Sequence, residues 1–462
     1  MTGEKPREIA ARVLRQAQTW AAPVSTVTSR VAAGISPASA DEPRVSEHPR
    51  HEPFIEHLLE QALATSHSSG PDRRLCQELV YGVVRWRATL DWLIGRKAQN
   101  AVQKRALQDL LRLGLYQIFF LDRIPNHAAV NETVAMAKRA GFGPQSGFVN
   151  ALLRSYIREF DATKAALAEL KTTQPHLGYS HPEWLVNRWH ERWGAEKTAQ
   201  LLAWNNTPPD IFARVNLLKA DPGELLPQWR QENIEYDFVR GDWFDENLLF
   251  KFKSHPPLEQ VPSLSQGLFY IQDPSTLLAV RQLDPQPGQT ILDLCAAPGG
   301  KLTYLAQLMR NEGRIVAHDL STERLKLMQE NCARLGVTCT QVFSSPNQLE
   351  LATFDRILVD APCSNTGVMR RRVELRWRVR PEELQRLRVV QLDLLNQAAP
   401  LLKPGGVLVY STCSLEPEEN RQVVDEFLGG HAEFKLDHER ELLPFVEHVD
   451  GAYVANLRNR QI

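Results

Sequence analysis

Apolar and polar residues follow different patterns along the chain. Up to about residue 160, apolar positions recur at three- and four-residue spacing in LVYGVVRWRATLDWLIGR and LRLGLYQIFFLDRIPNHAAVNETVAMAKRAG, which predicts amphipathic helices. Residues 21 to 53 interrupt this pattern with Ser, Pro and Ala that show no periodicity, as is typical of a flexible insert. We therefore expect an all-α bundle over residues 1 to 160.

The rest of the chain divides into a mixed segment and a strand-rich segment. From 161 to 265, helical SHPEWLVNRWHERWGAEKTAQLLAW is followed by short runs such as DIFARVNL and YDFVRG, which predict a connector and a small α+β module. From 266 to 462, the β-rich runs TILDLCA, RIVAHDL, TCTQVF, FDRILVDAP and GGVLVYSTC alternate with helix-length segments. This alternation predicts an α/β, Rossmann-like domain with a parallel sheet, whose ligands bind beyond the carboxyl ends of the strands.

Composition narrows the class of protein. A length of 462 residues fits several domains, and 43% hydrophobic with 24% charged residues is ordinary for a globular chain. No apolar run approaches the roughly 20 residues of a membrane span, and the charged N-terminus does not resemble a secretory signal. We expect a cytoplasmic monomer that does not bind membranes. A net charge of -1 leaves nucleic-acid binding open, because a local basic patch is enough for it.

The run ILDLCAAPGGKLTYLAQLM predicts a buried strand, a small-residue turn at residues 296 to 300, and a helix. Glycines there let a ligand approach the backbone closely. A phosphate-binding loop is excluded because Cys295 stands at its first glycine position and Leu302 follows Lys301, and GxGxxG is also absent. A nucleoside ligand without a pyrophosphate fits this turn better.

An acidic residue follows the second strand. Asp319 lies twenty positions after Gly299, where a carboxylate can bind the hydroxyls of a ribose. The alternative is that Asp319 only caps the helix that begins at STERLKLMQ. Together, the glycine turn and this carboxylate predict a site for S-adenosylmethionine.

Two of the six cysteines, Cys363 and Cys413, stand directly after strand-like runs, while the other four and the histidines show no metal-binding pattern. We expect the two thiols to lie at the ligand-bearing edge of the sheet, partly exposed and with a lowered pKa. A thiolate that adds to carbon 6 of a pyrimidine activates carbon 5 for methylation, and a second group must then assist release. Asp360 is placed to hydrogen-bond the ring nitrogen edge.

Three motifs, LDLCAAPGGK, LVDAPCSNTGVMRR and VYSTCSLEPEEN, together resemble the RNA cytosine-5 methyltransferases. The segments LRLGLYQIFFLDRIPNHAAVNETV and FVNALLR resemble the NusB-type RNA-binding bundle, which is fused to such a catalytic domain in enzymes that modify small-subunit ribosomal RNA. The resemblance implies that Cys413 attacks carbon 6 and that Cys363 promotes release.

The resemblance also implies contacts with S-adenosylmethionine. Those expected from matching positions are Cys295, Ala296, Ala297, Pro298, Gly299, Gly300, Lys301, Asp319 and Asp360. Ser345, in VFSSPNQ, stands where the family often has an Asp on the adenine side. Val373 and Glu374 similarly replace the Pro and Asp that the family usually has in the segment after the first cysteine.

The segment MRRRVELRWRVR predicts an RNA-contacting surface. Arginines suit phosphates and an aromatic ring can stack on an unpaired base, so we expect contacts from Arg370, Arg371, Arg376 and Trp377. The alternative is a solvated helical face, with Trp377 in the core. The acidic residues Glu416, Glu418 and Glu419 predict the first turn of a helix.

Our leading hypothesis is an S-adenosylmethionine-dependent RNA cytosine-5 methyltransferase acting on an unpaired or flipped cytosine of small-subunit ribosomal RNA. Two alternatives stay open. The catalytic motifs also permit a transfer RNA substrate, and the departures at Ser345 and Val373 leave room for a catalytically idle RNA-binding assembly factor.

Overall fold

The computed structural model describes residues 4–17, 54–66, 69–99, 103–343, 351 and 353–460. The predicted insert at residues 21 to 53 and the predicted cofactor residue Ser345 lie outside this range. Contacts divide the chain into two units, Met1–Asn206 with Arg376–Arg378, and Thr207–Leu375 with Val379–Ile462.

The first unit is helical throughout the residues that the structure describes. Its helices are α1 (Pro6–Gln16), α2 (Ile55–Ala64), α3 (Gly70–Arg85), α4 (Arg87–Ala98), α5 (Arg105–Phe120), α6 (Asn126–Arg139), α7 (Ser146–Arg158), α8 (Phe160–Thr173), α9 (Pro175–Gly178) and α10 (Glu183–Trp204). The helical character that the apolar spacing predicts for residues 1 to 160 is therefore confirmed for the described part of that range.

Helix α5 is the centre of this bundle, because it is buried along most of its length and contacts α1, α3, α4, α6 and α7. The approach of α3 to α5 depends on Gly82, since a β-carbon at that position would lie 1.9 Å from the ring of Tyr116. Helix α10 bends at Gly194, whose φ of 78° lies in the left-handed region.

The second unit begins with a small antiparallel sheet in the order β2-β3-β1-β4. Its elements are β1 (Ile211–Val215), α11 (Pro222–Gln231), β2 (Glu235–Phe238), β3 (Leu249–Ser254), α12 (Pro262–Ser265) and β4 (Phe269–Ile271). Trp229 on α11 is fully buried and meets the rings of Phe250, Phe252 and Phe269 edge-on, with centroids 5.1 to 5.3 Å away. This aromatic cluster joins the helix to one face of the small sheet.

A seven-stranded sheet, in the order β10-β11-β9-β8-β5-β6-β7, forms the rest of the second unit. Its strands are β5 (Thr290–Asp293), β6 (Arg314–Ala317), β7 (Thr340–Val342), β8 (Phe354–Asp360), β9 (Leu402–Thr412), β10 (Phe434–Leu442) and β11 (Ala452–Asn459). Its helices are α13 (Leu277–Leu283), α14 (Gly300–Leu308), α15 (Thr322–Leu335), α16 (Leu375–Arg378, divided between the units), α17 (Pro381–Ala398), α18 (Arg421–Gly430) and α19 (Pro444–Glu447).

Alternate residues of the central strands pack into two separate cores, one on each face. Ile291 and Leu358 join the core that includes α13, α14 and α15, whereas Leu292 and Ile357 join the core that includes α17 and α18. This period of two explains why the runs read as continuously apolar, since both faces of the sheet are covered by helices.

Chain order reverses between β5 and β8. From β5 the chain goes outward to β6 and β7, and it then returns to β8 on the other side of β5. At such a switch point the loops beyond the carboxyl ends of the two strands diverge and leave a crevice for a ligand. Asp293 and Asp360, the last residues of β5 and β8, lie at this crevice.

The structure differs from the sequence-based expectation in three places. Helices α8, α9 and α10 belong to the first unit rather than to a connector, and β4 pairs within the small sheet although it lies past residue 265. The large sheet is mixed, because β11 and β10 run antiparallel to their neighbours.

Among the described residues, no helix is both long and apolar enough to cross a membrane.

Candidate active site

The turn between β5 and α14 lies at the centre of the crevice. Its backbone is fixed by hydrogen bonds from the N–H of Ala296 to the carbonyl of His318, 2.9 Å, and from the N–H of Ala297 to a carboxylate oxygen of Asp319, 3.2 Å. Gly299 has a φ of 99°, and a β-carbon there would lie 2.9 Å from Met328. The predicted glycine turn and the carboxylate of the second strand therefore adjoin in space.

Lys301, the second residue of α14, pairs with Asp360. Its Nζ lies 2.6 Å from one carboxylate oxygen of Asp360, and the hydroxyl of Ser411 donates to the other oxygen at 2.8 Å. Burial works against the charged form of Lys301, but the charge and hydrogen bond of Asp360 outweigh this and raise its pKa. The ammonium and the carboxylate therefore form a charged pair at the end of β8.

Asp293 is a buried acid of this crevice that the sequence interpretation passed over as part of a strand. Among the described residues no side chain donates a hydrogen bond to its carboxylate, and the backbone of Cys295 is the donor that acts on it. Burial raises the pKa of Asp293 to about 8, the charge of Asp360 adds to the rise, and Lys301 opposes it. The signal was present in the sequence, because an Asp inside the apolar run TILDL has to be buried with its strand.

The charges of this crevice fit S-adenosylmethionine. Three carboxylates, Asp293, Asp319 and Asp360, surround the turn, and among the described residues Lys301 and the half-exposed Arg324 lie against them. Carboxylates that outnumber the nearby lysine, and a buried acid that ionises when a cation binds, suit a ligand with a sulfonium and an ammonium group and disfavour a polyphosphate. Ser345 cannot be placed against this ligand because it lies outside the described range.

The two cysteines meet at the same edge of the sheet. Asp360 of β8 is opposite Ser411 of β9, and the loops that follow bring the sulfurs of Cys363 and Cys413 to 3.3 Å from each other. The thiol of Cys413 also donates to Oδ1 of Asn365 at 2.9 Å. The sequence thus predicts their location correctly, although they lie fifty residues apart along the chain.

The expected low pKa is wrong for Cys363. Its side chain is buried, and the hydrogen bond with Cys413, followed by burial, raises the pKa of Cys363 well above the ordinary value. A thiol that stays protonated is a hydrogen-bond donor to a neighbouring sulfur. Being at the end of a strand did not expose this side chain, because its loop packs against the loop that carries Cys413.

The expectation that Arg370 and Arg371 form an RNA surface is corrected by the structure. Arg370 is 1% exposed, and its guanidinium contacts Asp450 at 2.8 Å and Asp273 at 3.5 Å. Arg371 donates to the same carboxylates, at 2.5 Å to Asp450 and 2.7 Å to Asp273. The sequence suggested an exposed surface because it did not reveal the acidic partners of this run. For Arg370 these partners, Asp450 and Asp273, lie 80 and 97 residues away in the chain.

Arg376 and Trp377 are also buried, within the first unit. The guanidinium of Arg376 donates to the carbonyls of Ser180 at 3.2 Å and Asn205 at 2.8 Å, and the indole of Trp377 donates to the carbonyl of Val84 at 2.8 Å. These bonds tie the side chains to protein backbone. Their placement contradicts an exposed RNA-stacking surface and supports a structural role.

The acidic residues after Cys413 are not the first turn of a helix. Helix α18 begins later, at Arg421, and Glu416 and Glu419 are almost completely buried.

The structure places four residues in or beside the site that the sequence interpretation had not assigned to it: Asp293, Asn365, Ser411 and Glu419.

Comparisons with known proteins agree with this architecture. Residues 280–458 match the family described as 16S rRNA methyltransferase RsmB/F, residues 38–158 match the NusB family, and residues 181–247 match the ferredoxin-like domain of RsmF/B-like methyltransferases. A methyltransferase homolog from Pyrococcus horikoshii has a solved structure with 32% identity and a TM-score of 0.54, covering 62% of this chain and 97% of its own.

Two curated relatives match most of the chain. The probable ribosomal RNA small subunit methyltransferase B of Bacillus subtilis is 36% identical over 431 residues, which are 87% of this chain and 94% of that protein. The ribosomal RNA small subunit methyltransferase B of Klebsiella pneumoniae is 34% identical over 406 residues, 85% of this chain and 91% of that protein.

A mixed α/β sheet with a glycine turn, a carboxylate-rich crevice and two adjacent thiols defines an S-adenosylmethionine-dependent RNA (cytosine-5)-methyltransferase. Within this class, the NusB match and the ferredoxin-like match narrow the choice to methyltransferases that carry both of these additional domains. With a third of its residues identical to these relatives over most of its length, the chain belongs to the ribosomal RNA small subunit methyltransferase B family.

We predict that Arg370→Ala destabilises the folded protein. The change removes one cation from a buried cluster and leaves the carboxylates of Asp450 and Asp273 undercompensated, which costs about 3 kcal/mol. Arg388→Ala, which breaks an exposed pair with Glu426, is the matched control and costs less than about 1 kcal/mol. Urea unfolding measures both. If Arg370→Ala left the stability unchanged and weakened RNA binding at low salt, Arg370 would contact RNA as the sequence had predicted.

We also predict that binding of S-adenosylmethionine releases a proton from Asp293. With its pKa raised to about 8, this acid is neutral below that pH, and it must ionise to pair with a cation. Affinity should therefore rise as pH increases toward 8, by at most about tenfold per pH unit. Calorimetry in buffers of different ionisation enthalpy counts the protons. If Asp293→Asn released as many protons as the wild-type chain on binding S-adenosylmethionine, the proton would come from another group.

Proposed function

We propose that this protein transfers a methyl group to carbon 5 of a cytosine in small-subunit ribosomal RNA through a covalent bond between Cys413 and carbon 6. The 3.3 Å contact between the thiols of Cys363 and Cys413 beside the charged pair of Lys301 and Asp360 carries this proposal. The names of the matching relatives support the choice of RNA.

The division of roles between the two cysteines is supported by the cavity next to them. Cys413 lines this cavity together with Ser275, Lys301, Ser411 and Asp450, and Cys363 is not among the described residues that line it. A nucleophile must reach the ring of the substrate, whereas a group that assists release has to reach only the sulfur of the nucleophile. We therefore assign attack to Cys413 and release to Cys363.

Attack begins after the Cys413 thiol has given its proton to water, which leaves its sulfur as a thiolate. The neighbouring Cys363, kept protonated, can donate a hydrogen bond to that sulfur, which stabilises its negative charge. Bond formation between sulfur and carbon 6 moves the electrons of the ring double bond to carbon 5, and a hydrogen bond from the Lys301–Asp360 pair to the polar edge of the ring stabilises the adduct. S-Adenosylmethionine supplies, when bound, an electrophilic methyl group for carbon 5.

Release requires loss of the proton on carbon 5 and cleavage of the bond between sulfur and carbon 6. Cys363 gives its proton to the departing sulfur of Cys413, and the thiolate that results accepts the proton from carbon 5. Both cysteines end as thiols, the ring double bond is restored, and one proton has moved from carbon to sulfur. The short distance between the sulfurs makes this relay direct.

The substrate cytosine must be unpaired or turned out of its helix, because carbon 6 is covered on both sides in a stacked strand. We place the protein in the cytoplasm as a monomer, where it meets ribosomal RNA. Transfer RNA, or an RNA-binding role without catalysis, remains the outcome to be distinguished by experiment.

We predict that the wild-type chain incorporates labelled methyl into protein-free small-subunit ribosomal RNA and that Cys413→Ser abolishes it. A serine hydroxyl is a far weaker nucleophile than a thiolate, so the rate should fall at least about a thousandfold. Mass spectrometry locates the product. Cys339→Ala, at a half-buried thiol just before β7, is the control and should retain activity. Label only in transfer RNA, or none despite cofactor binding, would contradict the proposal.

We predict that Cys363→Ala accumulates a complex of protein and RNA that survives denaturation. Attack by Cys413 persists in this variant, but the proton relay for release is missing, so the adduct builds up. Denaturing gel electrophoresis with labelled RNA measures it. The double variant Cys363→Ala with Cys413→Ser should form no such complex, and a complex that persisted in it would overturn the assigned roles.

A further inference from the structure

The two loops that carry the cysteines are joined along their length. We call them the first cysteine loop, residues 362 to 367, and the second cysteine loop, residues 412 to 419. Next to the sulfur pair, the hydroxyls of Ser364 and Ser414 lie 3.2 Å apart. Further along, the N–H of Gly367 donates to the carbonyl of Cys413 at 2.9 Å. The position of each sulfur therefore depends on how these loops are held together.

One buried carboxylate bridges both loops. Glu419 has no solvent exposure, and its oxygens accept from the backbone N–H of Ser364 at 2.8 Å, from the hydroxyl of Ser364, and from the hydroxyl of Ser414 at 2.5 Å. Gln391 on α17 adds a fourth donor at 3.1 Å. Ser364 and Ser414 directly follow the two cysteines, so this carboxylate holds the residue after each sulfur.

The backbone of this segment is fixed as well. The hydroxyl of Tyr410 on β9 donates to the carbonyl of Glu419 at 2.5 Å, and the amide of Gln391 also donates to the carbonyl of Pro362 at 2.9 Å. Glu419 is thus held through its backbone by a strand and through its carboxylate by a helix of the same unit. A rigid support of this kind can set the geometry of the loops that it contacts.

We propose that Glu419 is a positioning residue for the methyl transfer, because its carboxylate holds the first and second cysteine loops together and so keeps the sulfurs of Cys363 and Cys413 within reach of each other. This inference rests on the proposed function, in which a proton passes between the two sulfurs.

Burial raises the pKa of Glu419, and the hydrogen bonds from Ser364, Ser414 and Gln391 oppose this rise by stabilising the ionised form. An ionised carboxylate suits this position better than other side chains do. It only accepts hydrogen bonds, and its two oxygens have room for the four donors that converge on it. An amide in the same place would direct an NH₂ group at some of those donors. The N–H of Ser364 and the amide of Gln391 both bond one oxygen, which an amide oxygen could replace, but the two serine hydroxyls bond the other oxygen. An NH₂ group in that second place would force both hydroxyls to turn from donors into acceptors and to give up the bonds by which they hold the two loops to this side chain.

The carboxylate also affects the state of the release thiol. The groups that face Cys363 are Cys413, Glu419, the backbone of Asn365 and Tyr410. The hydrogen bond with Cys413 and burial contribute most to its raised pKa, and the charge of Glu419 adds to it. The negative charge of Glu419 therefore helps to keep Cys363 in the protonated form that the relay requires.

Glu419→Gln in the full chain tests the inference, with Glu426→Gln on α18 as a matched control. Glu426 is an exposed residue whose carboxylate pairs with Arg388 on α17. The pair geometry is measured with phenylarsine oxide, which binds two adjacent thiols to one arsenic atom while its oxygen leaves as water with the two thiol protons. Intact-mass analysis measures the fraction of protein that has captured phenylarsine. The capture that disappears in the Cys363→Ser variant is the capture due to the pair of Cys363 and Cys413.

We expect Glu419→Gln to weaken capture of the pair and to lower kcat for methyl transfer, each by about tenfold or more, because misplaced groups lose their catalytic orientation. The KM for RNA and the affinity for S-adenosylmethionine should stay within about twofold, since the contacts of the turn and of Asp319 do not involve Glu419. Glu419→Asp, which keeps the charge on a shorter side chain, should recover part of kcat. Wild-type capture and kcat in Glu419→Gln would overturn the inference.

Two further measurements keep the result interpretable. If Glu419→Gln does not fold, Ser414→Ala removes one of its donors and should weaken capture and kcat together, whereas an effect on neither would overturn the inference. Capture does not depend on methyl transfer, so absence of methylation by the wild-type chain, with capture intact and dependent on Glu419, would refute the proposed function and leave the bridging role of Glu419 supported.

Discussion

The parallel pairing of β8 with β9 is the constraint on which the rest of the site depends. It sets Asp360 opposite Ser411, so that the loops after these strands start side by side and their cysteines meet at 3.3 Å. A slip of one residue in this register would turn every side chain of β9 to the other face and so move its residues from one core to the other. The apolar residues that cover both faces of the sheet therefore fix the catalytic geometry as much as they fix the fold.

Electrostatics at the crevice follows from where the strands end. The acids Asp293, Asp319 and Asp360 converge near one lysine, and the burial of Asp293 makes the site unfavourable for its own charge and favourable for a cationic ligand. In the second unit, the buried ion cluster of Arg370, Arg371, Asp273 and Asp450 shows the opposite balance, because every charge in it has a partner inside the protein. The first arrangement is suited to binding and the second to holding the fold together.

The buried network around Glu419 both holds part of the fold together and positions groups of the active site. It places an acceptor-only group where two loops would otherwise be joined by weak contacts between sulfurs and between hydroxyls. Buried polar networks have well-defined geometry only when all their donors are satisfied, and this carboxylate satisfies donors from both loops and from α17. A precise distance between two thiols can thus be maintained by residues that never touch the substrate.

The sequence by itself determined the helical bundle, the strands β5 to β9, the glycine turn and the location of both cysteines, because periodicity, turn residues and strand ends are local properties of the chain. It did not reveal the antiparallel strands β10 and β11, the buried partners of Arg370 and Arg376, or the role of Glu419. These depend on residues that lie tens to hundreds of positions away, and only the packed structure brings them together. A run of charged residues looks the same in a sequence whether its partners are water or buried carboxylates, and only the tertiary structure decided between the two.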